Sequence, residues 1–186
     1  MHKKWMTSLA VAALLALSAA GSADDSEDYE NALALAEQGD AFGQYYLGLM
    51  YDIGQGVPQD YKAAVKWYSL AAEQGNAFAQ YNLGLMYDNG QGVPQDYKAA
   101  VKWYSLAAEQ GNAKAQYNLG VMYGIGDGVI QDNVYAHMWF NIAASSGDSE
   151  NASKGRDIVA EIMTTAQIAE AQKLARECVR KEYKGC

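Results

Sequence analysis

Basic charge, histidine and cysteine are all scarce in this chain, and each scarcity removes a class of function. Lys+Arg number 14 against 22 Asp+Glu, and no basic cluster is interleaved with aromatics, so a phosphate backbone would be repelled and nucleic acid is not an expected partner. There are two histidines, and His2 lies in the first residues, leaving His137 alone for the rest of the chain. A His-rich zinc site cannot be built from one imidazole, and a His-based triad would have a single possible base. His137 stands among Tyr135, Met138 and Trp139, where packing or a surface position is the simpler role. No serine has a lysine three residues on, the spacing that serine acylation of a β-lactam requires; Ser69 and Ser105 are each followed by Leu-Ala-Ala. No metal site or cofactor is expected.

Long apolar runs are missing too. The longest, around Leu9 to Leu17, is shorter than the ~20 residues that span a bilayer. It follows His2-Lys3-Lys4 and precedes small residues from Ser18 to Ala23, the three parts of an export leader. Cleavage after Ala23 or after Ala20 fits, and neither leaves a leading cysteine for a lipid anchor. Residues 1–23 are therefore read as a signal peptide and the protein as exported, to the periplasm or beyond, with no membrane span. The leader holds two of the 14 basic residues and no acid, so the remainder keeps 12 against 22, a net charge of −10. Both cysteines, Cys178 and Cys186, lie in the last nine residues, and an oxidising compartment favours pairing them, worth ~2–3 kcal/mol in the chain-entropy account.

What is present in abundance is repetition. Tyr61 to Asp96 returns as Tyr97 to Asp132, a period of 36 residues, with six differences: Phe78/Lys114, Leu85/Val121, Asp88/Gly124, Asn89/Ile125, Gln91/Asp127 and Pro94/Ile130. A unit this short cannot bury its apolar face alone and must stack on neighbours. Within Asp60 to Gly75, Tyr61, Ala64, Val65, Tyr68, Ala71 and Ala72 make one helical stripe, with Asp60 placed as N-cap and Gly75 as the left-handed C-terminal residue. A second helix is expected over Ala77 to Asp88, opened by Asn76; Gly84 in its middle costs ~1 kcal/mol relative to Ala and implies a close crossing that a side chain would block. Between helices, Asn89-Gly90-Gln91-Gly92-Val93-Pro94-Gln95-Asp96 reads as a loop.

Gly39, Gly75, Gly111 and Gly147, each followed by Asp or Asn, divide the chain into units 40–75, 76–111 and 112–147. Residues 24–39 form an N-terminal capping helix. Residues 148–186 form a C-terminal helical cap: Thr164 and Gln167 have capping-box spacing ahead of Ile168, Ala171, Ala175 and Cys178, while Asn151 to Met163 lacks the repeat pattern.

The run Ala77-x-Ala79-Gln80-Tyr81-Asn82-Leu83-Gly84-x-Met86-Tyr87, then Gly90-x-Gly92-Val93-Pro94-Gln95-Asp96-Tyr97, then Ala100, Trp103-Tyr104 and Ala107-Ala108-Glu109-Gln110-Gly111, resembles the Sel-1-like repeat. The resemblance implies an all-α, right-handed α-α superhelix of helix-loop-helix repeats, and a role as adaptor, regulator or host-contact factor. In the third unit Ile130 replaces the loop proline and a less regular loop is expected. A cysteine-rich branch of the family is linked to β-lactams, but the repeats here hold no cysteine. Gly54-Gln55-Gly56 and its counterparts follow helices and lack Gly-Lys-Ser/Thr, so they are turns and not phosphate loops.

By the same resemblance the first helix of each unit lines a concave face. The expected partner-binding positions are Phe42, Tyr45, Leu49 and Asp52; Phe78, Tyr81, Asn82, Leu85 and Asp88; and Lys114, Tyr117, Asn118 and Val121. Asn82 and Asn118 are suited to bond a peptide backbone, and Tyr suits interfaces by offering rigid area with a polar tip. Phe78/Lys114 and Asp88/Gly124 fall on this face and read as tuning for a ligand. The expectation is a non-catalytic scaffold for a protein or peptide; an envelope enzyme acting on peptidoglycan or β-lactams and an immunity or inhibitor protein are the alternatives.

Overall fold

A computed structural model describes residues 25–147 and 149–186; the expected leader, Asp24 of the expected capping helix, and Asp148 lie outside the described residues. Those residues form nine α-helices and no strand. They fall into two compact units, one ending at Asn76 and one running from Ala77 to Cys186.

In the first unit, α1 (Asp25–Glu37), α2 (Ala41–Ile53) and α3 (Tyr61–Glu73) pack in sequence order. The Asp40 carboxylate accepts from the Gly43 amide and starts α2; the Asp60 carboxylate accepts from the amides of Lys62 and Ala63 and starts α3. Each satisfies donors that a helix start leaves unpaired. Gly54, at φ 74°, ends α2 in the left-handed region. Ala32, Ala36, Leu47 and Met50 form the core, with Tyr29, Tyr51 and Trp67 against it. A side chain at Gly48 would run into the ring of the fully buried Tyr68.

In the second unit, α4 (Ala77–Asn89) pairs with α5 (Tyr97–Ala108), and α6 (Ala113–Ile125) with α7 (Asn133–Ser146). Gly84 meets the ring of Tyr104 and Gly120 the ring of Phe140, each with space for nothing more than hydrogen. The expected close crossing at Gly84 is thus a fit between a bare backbone and an aromatic ring. The core joins Ala100, Tyr104, Leu119 and Met122 to Met138, Trp139 and Ile142.

The third loop corrects the expectation of irregularity. The Asp132 amide donates to Tyr123 O at 2.9 Å, as Asp60 does to Tyr51 O and Asp96 to Tyr87 O. The Gln131 amide reaches Gly124 O at 2.7 Å, matching Gln59 to Asp52 O and Gln95 to Asp88 O. Positive-φ glycines and these bonds set the loop, and Ile130, 91% exposed, stands outside them.

Where the repeat signature stops, a helix does not. The segment without Leu-Gly or aromatic pairs forms α8 (Ser149–Ala160), which lays Ala152, Gly155 and Val159 against α7; Gly155 faces the tip of the Phe140 ring. Then α9 (Thr165–Arg180) opens with a capping box between Thr164 and Gln167 and buries Ala171, Ala175 and Cys178 on the α7 side. Cys178 and Cys186 are joined in a disulfide. It closes a hook in which Tyr183 rests on Gly111 and the Gly185 amide donates to Glu109 Oε1 at 3.2 Å.

Candidate interaction face

The first helices of the repeats carry almost no charge: α2 and α4 have no Lys or Arg, and Lys114 is the only one in α6. The second helices hold the lysines instead, Lys62 and Lys66 on α3 and Lys98 and Lys102 on α5, with Lys66 and Lys102 lying over Trp67 and Trp103. The predicted interaction residues therefore lie on mostly apolar helices, with one acid near the end of α2 and of α4 and one lysine in the first turn of α6.

Its members differ in how much they offer a partner. Phe42 is 52% exposed and Phe78 56%, and Lys114 at the same repeat position is also exposed. These lie in the first turn of α2, α4 and α6. Tyr45, Tyr81 and Tyr117 are half-buried, because each ring packs on the aromatic of the following helix: Tyr68 at 6.1 Å, Tyr104 at 6.0 Å and Phe140 at 5.5 Å. Leu49, Leu85 and Val121 are half-buried as well. Leu85 and Tyr81 belong to the margin of the core, as do Tyr117 and Val121 around Phe140. The tyrosines thus have packing as a structural duty, and the phenylalanines are the more exposed pair.

Asp52 and Asp88, near the ends of α2 and α4, are bonded to buried tyrosines of the core. Tyr68 Oη donates to Asp52 Oδ2 at 3.1 Å, and Tyr104 Oη to Asp88 Oδ2 at 3.0 Å. Burial raises both carboxyls above their ordinary range, and the tyrosine bond pulls the other way. Tyr104 is pushed far up by its own burial and then by the Asp88 charge, so its hydroxyl stays a donor. Asn118 reaches the same hydroxyl, so a backbone contact from this amide to a partner must share or displace that bond.

One repeat further on, Gly124 stands for Asp88 and Phe140 for Tyr104. The two halves of the hydrogen bond are lost together. The difference Asp88/Gly124 therefore has a packing cause: Gly155 of α8 crowds the ring tip of Phe140, where a hydroxyl would project.

A second register of polar groups runs between helices. Gln74 Nε2 donates to Gln44 Oε1 at 2.7 Å in the first unit, and Gln110 Nε2 to Gln80 Oε1 at 2.8 Å in the second. The next position in the series is Ser146, whose hydroxyl donates to Ile142 O, and the buried Gln116 Oε1 is left without a partner. His137, the one histidine among the described residues, is buried, and desolvation first and Arg156 second hold it below its ordinary value. It packs, and no group of three metal-ligating side chains occurs among the described residues.

The Sel1 repeat profile matches residues 41–76, 77–112 and 113–148, more than half of the chain. The chain belongs to the Sel1-repeat family. A solved Sel1 repeat protein from Oxalobacter formigenes is similar at 38% identity and TM-score 0.63, over 70% of this chain and 98% of its own. A protective antigen present in uropathogenic Escherichia coli strains, displaying an SLR fold, is similar at 30% identity and TM-score 0.64, over 84% of this chain; the chain spans 42% of that protein's length. No curated protein sequence matches it. Sel1-repeat proteins are in general scaffolds for protein interaction and typically non-catalytic, and this membership, with the all-α helix-pair repeats, makes a protein the expected kind of partner. Among the described residues no helix is long and apolar enough to cross a membrane.

Proposed function

We propose that this Sel1-repeat protein is an exported, non-catalytic scaffold that holds a protein or peptide on the faces of its first repeat helices, the side that the family resemblance makes concave. The observation that supports this most is the exposure of Phe42 and Phe78, 52% and 56%, at one and the same repeat position. Leaving rings half in water forgoes ~1 kcal/mol each of burial, and aromatic anchors beside half-buried tyrosines are the usual source of binding energy in an interface. Export is supported by the leader in residues 1–23 and agrees with likeness to a protein described as a protective antigen.

The test replaces Phe42 and Phe78 by Ala, which spares the packed tyrosines, and compares capture of proteins from an envelope extract with that by the unaltered protein and by Ile130→Ala. A protein lost only from the phenylalanine variant supports the reading; equal capture by all three refutes it. Mass spectrometry of the protein recovered from the cell envelope reports the leader, with Asp24 or Gly21 as the first residue if it is removed. An intact Met1 in the cytosolic fraction overturns export.

A further inference from the structure

The end of α9 has a backbone at odds with its sequence. The Glu182 amide donates to Val179 O at 3.0 Å and the Tyr183 amide to Cys178 O at 2.9 Å, the paired bonds of a Schellman ending. The helices α1, α3 and α5 end with the same pair of bonds, and there the turning residues are Gly39, Gly75 and Gly111, at φ 83°, 89° and 82°. In α9 that place is held by Glu182 at φ 53°, and Tyr183 follows at φ 65°; among the described residues no other residue with a side chain has a positive φ. A left-handed residue with a Cβ is unfavourable, and two in succession persist only where contacts outside the turn hold them.

Those contacts are few. The Tyr183 ring rests on Gly111, the Gly185 amide donates to Glu109 Oε1 at 3.2 Å, and the Cys178–Cys186 disulfide ties the last residue back to the helix. Lys181, Glu182, Lys184 and Gly185 are exposed. A cavity of ~170 Å³ lies beside the disulfide, with Tyr135, Met138, Leu174 and both cysteines in its wall. Cys178 is 3% exposed and Cys186 half-buried, so a reagent reaches the Cys186 sulfur first.

We propose that residues 181–186 are a thiol-operated latch: the disulfide holds them in the left-handed turn beside this cavity, and exchange with a dithiol releases them while the helix pairs stay folded. A thiolate of the dithiol attacks the Cys186 sulfur, the Cys178–Cys186 bond breaks and Cys178 leaves as thiolate. The second thiol of the reagent closes its own disulfide and expels the Cys186 thiolate, so the dithiol loses two electrons, the protein gains them, and the two thiol protons end on the two cysteines. Release lifts the Tyr183 ring from Gly111 and uncovers the apolar wall of Tyr135, Met138 and Leu174. The strained turn belongs to the latched form, so its relief favours release and makes this disulfide easier to reduce than one closing a relaxed turn.

The test equilibrates the disulfide-bonded protein in mixtures of reduced and oxidised dithiothreitol without denaturant, traps the thiols by alkylation and reads the reduced fraction by mass spectrometry. Circular dichroism follows the helices, and trypsin cleavage after Lys181 and Lys184 reads the segment itself. The expected result is reduction with the helical signal retained and cleavage at these lysines about tenfold faster, as fast as in Cys186→Ser, which cannot latch. Glu182→Asn, whose short side chain tolerates the left-handed turn, should shift the equilibrium about threefold toward the disulfide. A disulfide reduced only as the helices unfold, cleavage unchanged by reduction, or an equilibrium unmoved by Glu182→Asn overturns the latch.

Discussion

Replacing Tyr104 by Phe removes one hydroxyl from a fully buried ring and leaves its packing against Gly84 in place. The lost bond is the one from Oη to Asp88 at 3.0 Å, with Asn118 as a further partner of the same oxygen. A hydrogen bond to a charged group contributes ~1.5–3 kcal/mol, and the low end applies because Asp88 is half-exposed and water can re-solvate its carboxylate. Tyr104→Phe is therefore expected to cost ~1.5 kcal/mol, or a fall of about 3–6 °C in Tm for a chain of this size. Asp88→Gly removes the same bond and adds a few tenths of a kcal/mol of helix propensity near the end of α4. The double variant recreates the Phe140 and Gly124 combination of the next repeat, and it should cost little more than either single change, a coupling of ~1–1.5 kcal/mol. Thermal unfolding followed by circular dichroism at neutral pH reads all four corners of the cycle. The opposite insertion, Phe140→Tyr, is expected to destabilise by ~1–2 kcal/mol, since its hydroxyl would be driven toward Gly155 with no acceptor at Gly124. Additivity within ~0.5 kcal/mol for Tyr104 and Asp88, or a neutral Phe140→Tyr, would refute the account of the paired loss.

Ser146→Gln restores the third rung of the glutamine series and gives Gln116 Oε1 a donor, for an expected gain of ~1 kcal/mol in chemical denaturation; a loss would show that the rung has no room. Gly84→Ala, by driving a methyl into the Tyr104 ring, should destabilise by ~2 kcal/mol or more despite better helix propensity, and a rise in Tm would contradict the ring-on-glycine contact. Because burial raises Asp52 and Asp88 in the folded state, the native protein holds protons that the unfolded chain has released. Their contribution is present below the ordinary carboxylate value near 3.8 and lost as pH rises through the raised folded values, so this part of the stability curve falls with pH over that window; Asp52→Asn with Asp88→Asn should flatten it. Reducing Cys178–Cys186 is expected to cost ~2–3 kcal/mol and to raise hydrogen exchange first at Tyr183 to Cys186, and unchanged exchange there would show that the hook holds without its staple.

How far these features could be read from the chain depends on where each one has its partner. The repeat boundaries were legible because they are local: Asp40 and Asn112, each after a left-handed glycine, satisfy their own helix starts, as Asp60, Asp96 and Asp132 do for the second helices, and all these bonds are made within three residues. Gly84 was legible as a close approach because a glycine in a helix has no other excuse, although the ring that meets it lies 20 residues away. The helix α8 was legible only as part of a helical cap, since it sets Gly155 and Val159 against one foreign ring, Phe140, and shows no repeat pattern of its own. The half-burial of Tyr45, Tyr81 and Tyr117 was not legible, because the decisive neighbour sits on the next helix.

The same distinction sorts the differences between the two near-identical copies. Asp88/Gly124 looks like variation on a binding face when Tyr61–Asp96 is set against Tyr97–Asp132, because the compensating change, Tyr104 to Phe140, lies eight residues beyond the second copy. Once that bond is seen, the loss of the acid belongs to the arrival of α8 against the last repeat. Pro94/Ile130 is neutral for a loop whose bonds are all retained. Phe78/Lys114 and Gln91/Asp127 each add a charge that the first copy lacks. One puts a cation at the start of α6 and the other an acid in the loop that follows that helix, at positions that the first copy leaves uncharged.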